Sequence, residues 1–223
     1  MPAPPATPAS LPASLTAAAS FPRAVLFPVF VISGISALIY QMVWQRMLLM
    51  IYGSNSESVA MVVAAFLMGL GIGSLLGGWI SQNEKLPLVL FFSAAELGVG
   101  VYGLFSVALF QWVGSITVGA GSLMTGALSF ALVFLPTLLM GSTLPLLVAQ
   151  QVRATGDVGD SVSWLYFVNT LGAAVGAFLA AMWLLRVTGL SGAVQVAAAL
   201  NVLVSLLVLV TWMLRRRAAR AAS

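Results

Sequence analysis

Long apolar runs fill the chain from Ala24 to Leu214, broken only by short polar stretches near Ser54, Asn83, Gly119, Gly156 and Gly189. A helix needs about 20 apolar residues to cross the hydrocarbon core of a bilayer, at ~1.5 Å of rise per residue. Six runs meet that length: residues 24–52, 58–80, 87–112, 123–148, 162–185 and 192–214. The pattern predicts an all-α, polytopic membrane protein whose residues 23–214 form six transmembrane helices. Its flanks read differently. Residues 1–22 are rich in Pro, Ala, Ser and Thr and carry no side-chain charge, which predicts a disordered tail. Residues 215–223 predict a basic cytoplasmic tail.

Composition agrees with a lipid environment and narrows the chemistry. Hydrophobic residues make up 61% of the chain and charged ones 6%, with no cysteine and no histidine. No disulfide is possible, and no thiolate or imidazole is present to ligate haem, zinc, copper or an iron–sulfur cluster, so neither a metal nor another cofactor is expected. The net charge of +4 is concentrated behind the last apolar run, where Arg215, Arg216, Arg217 and Arg220 suit anionic lipid headgroups rather than a nucleic acid.

Positive charge also predicts orientation. Of the nine basic residues, Arg23, Lys85, Arg153 and the four C-terminal arginines fall on one side, against Arg46 and Arg186 on the other. The positive-inside rule then places both termini in the cytoplasm. The six tryptophans are expected at the headgroup level, with Trp79, Trp164 and Trp212 near cytoplasmic ends and Trp44, Trp112 and Trp183 near outer ends. Arginine outnumbers lysine eight to one in an alanine-rich chain, which fits a GC-rich bacterial source and hence the bacterial inner membrane.

Small residues indicate how the helices pair. Gly69, Gly73 and Gly77 recur every four residues on the second run, and Gly172, Gly176 and Ala180 do so on the fifth. Such stripes let helix backbones approach closely in lipid. They are related by a constant shift of 103 residues, which with three runs on either side of the midpoint points to a three-plus-three inverted repeat. The Gly69-Leu-Gly-Ile-Gly73 string is not read as a nucleotide-binding loop, because it sits inside an apolar run instead of between a strand and a helix. Pro136 and Pro145 interrupt the fourth run as a static kink or a hinge.

One residue stands out chemically. Glu96 lies ~14 Å into the third run, where an ionised carboxylate is costly unless it is protonated, paired or hydrated. Ser33, Ser36, Asn169 and, nearer the cytoplasm, Thr143 fall at neighbouring depths, so a polar cluster is expected in the cytoplasmic half of the bundle. A structural hydrogen bond and a role in admitting a cation or proton both remain open for Glu96. The segment from Gln150 to Asp160 reads as the longest cytoplasmic connection, with Arg153 available to lipid or a partner.

Several strings in order resemble one family. Ser33-Gly-Ile-Ser-Ala-Leu-Ile-Tyr-Gln-Met-Val-Trp-Gln-Arg46, Ala65-Phe-Leu-Met-Gly-Leu-Gly-Ile-Gly-Ser74, Ala95-Glu-Leu-Gly-Val-Gly100, Leu139-Met-Gly-Ser-Thr-Leu-Pro145 and Leu165-Tyr-Phe-Val-Asn-Thr-Leu-Gly-Ala-Ala-Val-Gly176 are similar to the membrane portion of the spermidine-synthase-like integral membrane proteins, fused major facilitator and synthase proteins. The resemblance implies a bundle like half of a major facilitator transporter. It also marks Glu96, Asn169 and Tyr40 as family positions. The sequence in hand holds no aminopropyltransferase-like domain, so spermidine synthesis is not expected of it.

These features lead to an expected non-catalytic membrane scaffold or accessory subunit, in contact with membrane lipids and with a protein partner that is another subunit or a second copy. Two alternatives stand beside it. One is a homodimeric half-transporter for a cationic, polyamine-like amine or a proton-coupled solute. The other is a membrane anchor for a separately encoded aminopropyltransferase-like enzyme.

Overall fold

A computed structural model describes residues 21–52 and 56–221. The described chain is 92% helix and contains no strand. Its elements are α1 (Arg23–Tyr52), α2 (Ser56–Ser81), α3 (Leu88–Ile116), α4 (Ser122–Thr155), α5 (Val158–Leu179), a π-helical turn (Ala180–Leu184) and α6 (Leu185–Ala221). Five helical stretches among the described residues are long and apolar enough to cross a membrane, the last of them spanning the 62 residues of Val158–Ala219. The chain is a multi-pass membrane protein. The tail expected over residues 1–22 lies outside the described residues except for Phe21 and Pro22, and Phe21 is buried in the bundle.

The 62-residue stretch is not straight. Gly189 has φ 66° and ψ −171°, a conformation that costs any residue with a Cβ, and the chain reverses there. Its course can be followed through two buried clusters. Leu165 and Val168 on α5 pack with Leu26, Phe30 and Phe92, while Ala180 and Leu184 pack with Trp44 and Met47. Beyond Gly189, Ala193 and Val194 rejoin the Trp44 cluster, and Val204 and Val208 return to the Phe92 cluster.

Two helix pairs form by backbone contact at the small-residue stripes. A Cβ on Gly69 or Gly73 would overlap the Thr137 side chain or the Leu138 backbone of α4, and one on Gly77 would press on the Ser142 backbone. On the other side, Cβ atoms on Gly172 and Gly176 would overlap the Val31 and Ile35 backbones of α1, and Ala180 is fully buried. The stripes are therefore consumed within the chain, α2 on α4 and α5 on α1, and do not form a face left for a partner.

Between these pairs lie α3 and α6. Side chains link α1 to α3 in parallel at a constant offset of 62 or 63 residues: Ser33 to Glu96 and Trp44 to Ser106 by hydrogen bonds, and Tyr40 against Gly103 by packing. Helix α6 runs antiparallel to α3. Ser93 Oγ and Ser205 Oγ lie 2.9 Å apart, each also donates to the other residue's carbonyl, and Asn201 reaches Glu96 one turn further along.

Pro136 and Pro145 both lie inside the continuous helix α4. Pro136 has no N–H for the Leu132 carbonyl, four residues earlier, and that carbonyl instead accepts a 2.6 Å hydrogen bond from Tyr102 Oη on α3. A helix-breaking residue is thereby tolerated because a neighbouring helix supplies the missing donor.

Two expectations need correction. The connection around residue 156 is a tight turn, since α4 continues to Thr155, Gly156 caps it at φ 75°, and Asp157 Oδ1 caps α5 by accepting from the Asp160 amide at 2.9 Å. Trp44 is not at a headgroup belt. It is buried against Tyr40, Tyr102 and Phe110, and its Nε1 donates to Ser106 Oγ at 3.1 Å. The last helix continues past Leu214 and carries Arg215, Arg216 and Arg217 on its final turns, with Arg216 stacked over Trp212.

Candidate functional site: a carboxylate in an intramembrane cavity

Glu96 sits on α3 between the two apolar clusters, four residues after Phe92 and three before Val99. It is 2% exposed. Its Oε1 accepts a 2.6 Å hydrogen bond from Ser33 Oγ on α1, and its Oε2 accepts a 2.7 Å bond from Asn201 Nδ2 on α6. Both carboxyl oxygens are thus satisfied by neutral donors. A buried acidic group without a cation beside it costs about 3 kcal/mol at membrane depth, which neutral hydrogen bonds offset only in part.

A cavity of about 400 Å³ opens from this carboxyl group. Its polar lining comes from Ser33, Ser36 and Gln41 on α1, Ser74 on α2, Thr143 on α4 and Asn169 on α5, with Asn201 on α6. Leu38, Phe66, Leu70, Val99, Met140 and Leu144 supply apolar walls. The lining includes no Arg or Lys. At its rim stand the exposed side chains Leu67 on α2 and Tyr166 on α5, so the opening lies between these two helices.

Five of the six residues expected in a polar site, Glu96, Ser33, Ser36, Thr143 and Asn169, share this cavity. The sixth, Tyr40, does not line it. Seven residues beyond Ser33 on α1, Tyr40 is fully buried on Trp44 and Gly103, and its hydroxyl has no hydrogen-bond partner. Asn201 was missed, although a polar amide inside the last apolar run was itself a signal of the kind that singled out Asn169.

The basic residues expected to meet lipid or a partner divide. Arg153, half-buried on α4, is engaged internally: Nη2 donates to the Ser81 and Asn83 carbonyls at 2.7 and 3.0 Å, and Nη1 to Leu86 at 3.2 Å and Glu84 at 3.5 Å. It clamps the α2–α3 connection and is not a free contact. Arg23 forms an ion pair with Asp160 and lies over the Trp164 ring, fastening the start of α1 to the start of α5. Arg216 and Arg217 are exposed, Arg215 is partly so, and the side chain of Arg220 lies outside the described set.

No family model, curated protein or solved structure matches the chain.

Proposed function

We propose that this chain is a six-span, transporter-like half-bundle that holds a small solute at Glu96. The observation that carries the reading is the cavity itself, a solute-sized space at membrane depth ending on a buried carboxyl group. In this reading the two arms of the Val158–Ala219 stretch cross the membrane separately. Support for a three-plus-three inverted repeat comes from packing. The shift of 103 residues that relates Gly69 and Gly73 to Gly172 and Gly176 also relates the carbonyls they meet, Phe134 and Leu138 in one pair and Val31 and Ile35 in the other. Two helix pairs of opposite orientation built on one pattern are what a half-major-facilitator bundle, implied by the resemblance to the spermidine-synthase-like membrane proteins, requires.

The scaffold or accessory-subunit reading has one observation in its favour. The cavity opens sideways between Leu67 and Tyr166, and its polar groups need cover from lipid that a second copy or another subunit would supply. The anchor reading loses the loop it leaned on, because Arg153 is occupied and the segment around residue 156 is a short turn, and keeps the arginines of α6, of which Arg216 and Arg217 are exposed. Placement in a bacterial inner membrane with cytoplasmic termini rests on the basic residues Arg23, Lys85, Arg153 and Arg215 to Arg217 at one end of the bundle.

The test compares purified wild-type protein with Glu96→Gln. A solute that binds only the native state raises its thermal stability. A solute that stabilises the wild type and not the variant supports the reading. A stoichiometric foreign polypeptide in mild detergent, with no solute response in the complex, overturns it in favour of an accessory subunit.

A further inference from the structure

Building on the solute-binding reading, we infer that the cavity at Glu96 recognises a single organic ammonium group carrying an apolar body. Three hydroxyl donors in its lining are already committed. Ser33 Oγ donates to Glu96, Ser36 Oγ to the Ser33 carbonyl at 2.9 Å, and Thr143 Oγ1 to the Met140 carbonyl at 2.7 Å. What these hydroxyls leave for a ligand is lone pairs. Asn201 is held the same way. Its Nδ2 donates to Glu96 Oε2, and its Oδ1 is buried without a hydrogen-bond partner. Backbone amides are tied up within the helices. The groups around Glu96 therefore offer acceptors beside one acidic group, which fits a cation with several N–H donors.

Size and wall chemistry select within the cations. About 400 Å³ exceeds what a bare alkali ion needs, and the walls of Phe66, Leu70, Met140 and Leu144 match an alkyl or alicyclic body. A polyamine fits poorly, because its second charge would lie against these apolar walls with no second carboxylate among the lining residues.

Calorimetric titration of the full chain in lipid nanodiscs tests this with cyclohexylammonium, cyclohexanol, spermidine, sodium and cyclohexanecarboxylate as probes. Cyclohexylammonium should bind at least tenfold more tightly than cyclohexanol and than spermidine, and Glu96→Gln should weaken it at least tenfold. The wild-type ranking stands as a test even if that variant fails to fold, and Thr143→Val, which removes one acceptor, should weaken the ammonium several-fold. Tightest Glu96-dependent binding of sodium, spermidine or another probe overturns the ammonium assignment and leaves the solute-binding reading standing. Absence of binding by every probe overturns the assignment, and the broader solute screen against Glu96→Gln then decides the reading itself.

Discussion

At the scale of single residues, the bundle is held by exchanges in which one side chain completes what another residue lacks. Pro136 takes a donor from α4, and Tyr102 on α3 returns one to Leu132. Tyr102→Phe should therefore cost about 1–2 kcal/mol, the penalty for an unsatisfied buried carbonyl. In a Pro136→Ala background the restored amide takes the Leu132 carbonyl, so a double-mutant cycle in detergent should show most of that cost disappear; equal costs in both backgrounds would refute the pairing. Glycines sort by the same reasoning. Gly73→Ala presses on the Leu138 backbone and should lose about 1–3 kcal/mol, whereas Gly71, with nothing within 4 Å of its missing Cβ, should gain roughly 0.5–1 kcal/mol as Gly71→Ala. The spacing of Gly69, Gly73 and Gly77 announced a close approach, and Glu96 announced a polar site. Neither announced its partner. That Glu96 meets Asn201 depends on the antiparallel course of α6 beside α3, which pairs residues 105 positions apart and leaves no local trace.

At the scale of elements, the apolar runs mark the helices well, and the errors fall at their ends. Gly156 and Asp157 form a C-cap followed at once by an N-cap, so eleven residues that read as a polar connection collapse into a turn between two helices. Polarity alone does not separate a loop from the solvated ends of two helices; the Gly-Asp pair does. Gly189 is the converse case, a single residue whose backbone divides one 62-residue helical stretch. Gly189→Ala should destabilise the protein by about 1–3 kcal/mol, since only glycine occupies that conformation without strain, and an unchanged melting temperature would contradict the hairpin. The clamp at the other end makes a geometric demand. Arg153 spreads two nitrogens over four carbonyls, so Arg153→Ala should speed hydrogen exchange in residues 82–87, and Arg153→Lys, a single point donor, should fail to restore protection.

At the scale of the whole molecule, the pairing of α2 with α4 and of α5 with α1 leaves α2 and α5 as the two lips of the cavity, with α3 and α6 behind it. Apolar patterning cannot show this arrangement, because lipid-facing and buried positions are alike apolar and the helices lack a clear polar stripe; Phe105 and Phe178 are exposed where Phe92 and Phe110 are buried. The proposed orientation rests on charge instead. The Arg23–Asp160 pair and the Arg153 clamp both lie at the end where Lys85 and the arginines of α6 emerge, and the turns after α3 and at Gly189 lie at the other. The absence of cysteine makes this directly measurable, since each introduced thiol is unique. On the proposed inner-membrane placement with cytoplasmic termini, Lys85→Cys and Ala218→Cys should react with a membrane-impermeant maleimide only after that membrane is opened, and Val118→Cys, 84% exposed beyond α3, should react in intact spheroplasts. Val187→Cys, at the Gly189 reversal, decides the count of crossings. Labelling from the same side as Val118→Cys means that the 62-residue stretch crosses twice and both termini share the cytoplasm. Protection together with Lys85→Cys would place the reversal at the opposite membrane face and dismantle the inverted repeat along with the transporter-like reading built on it.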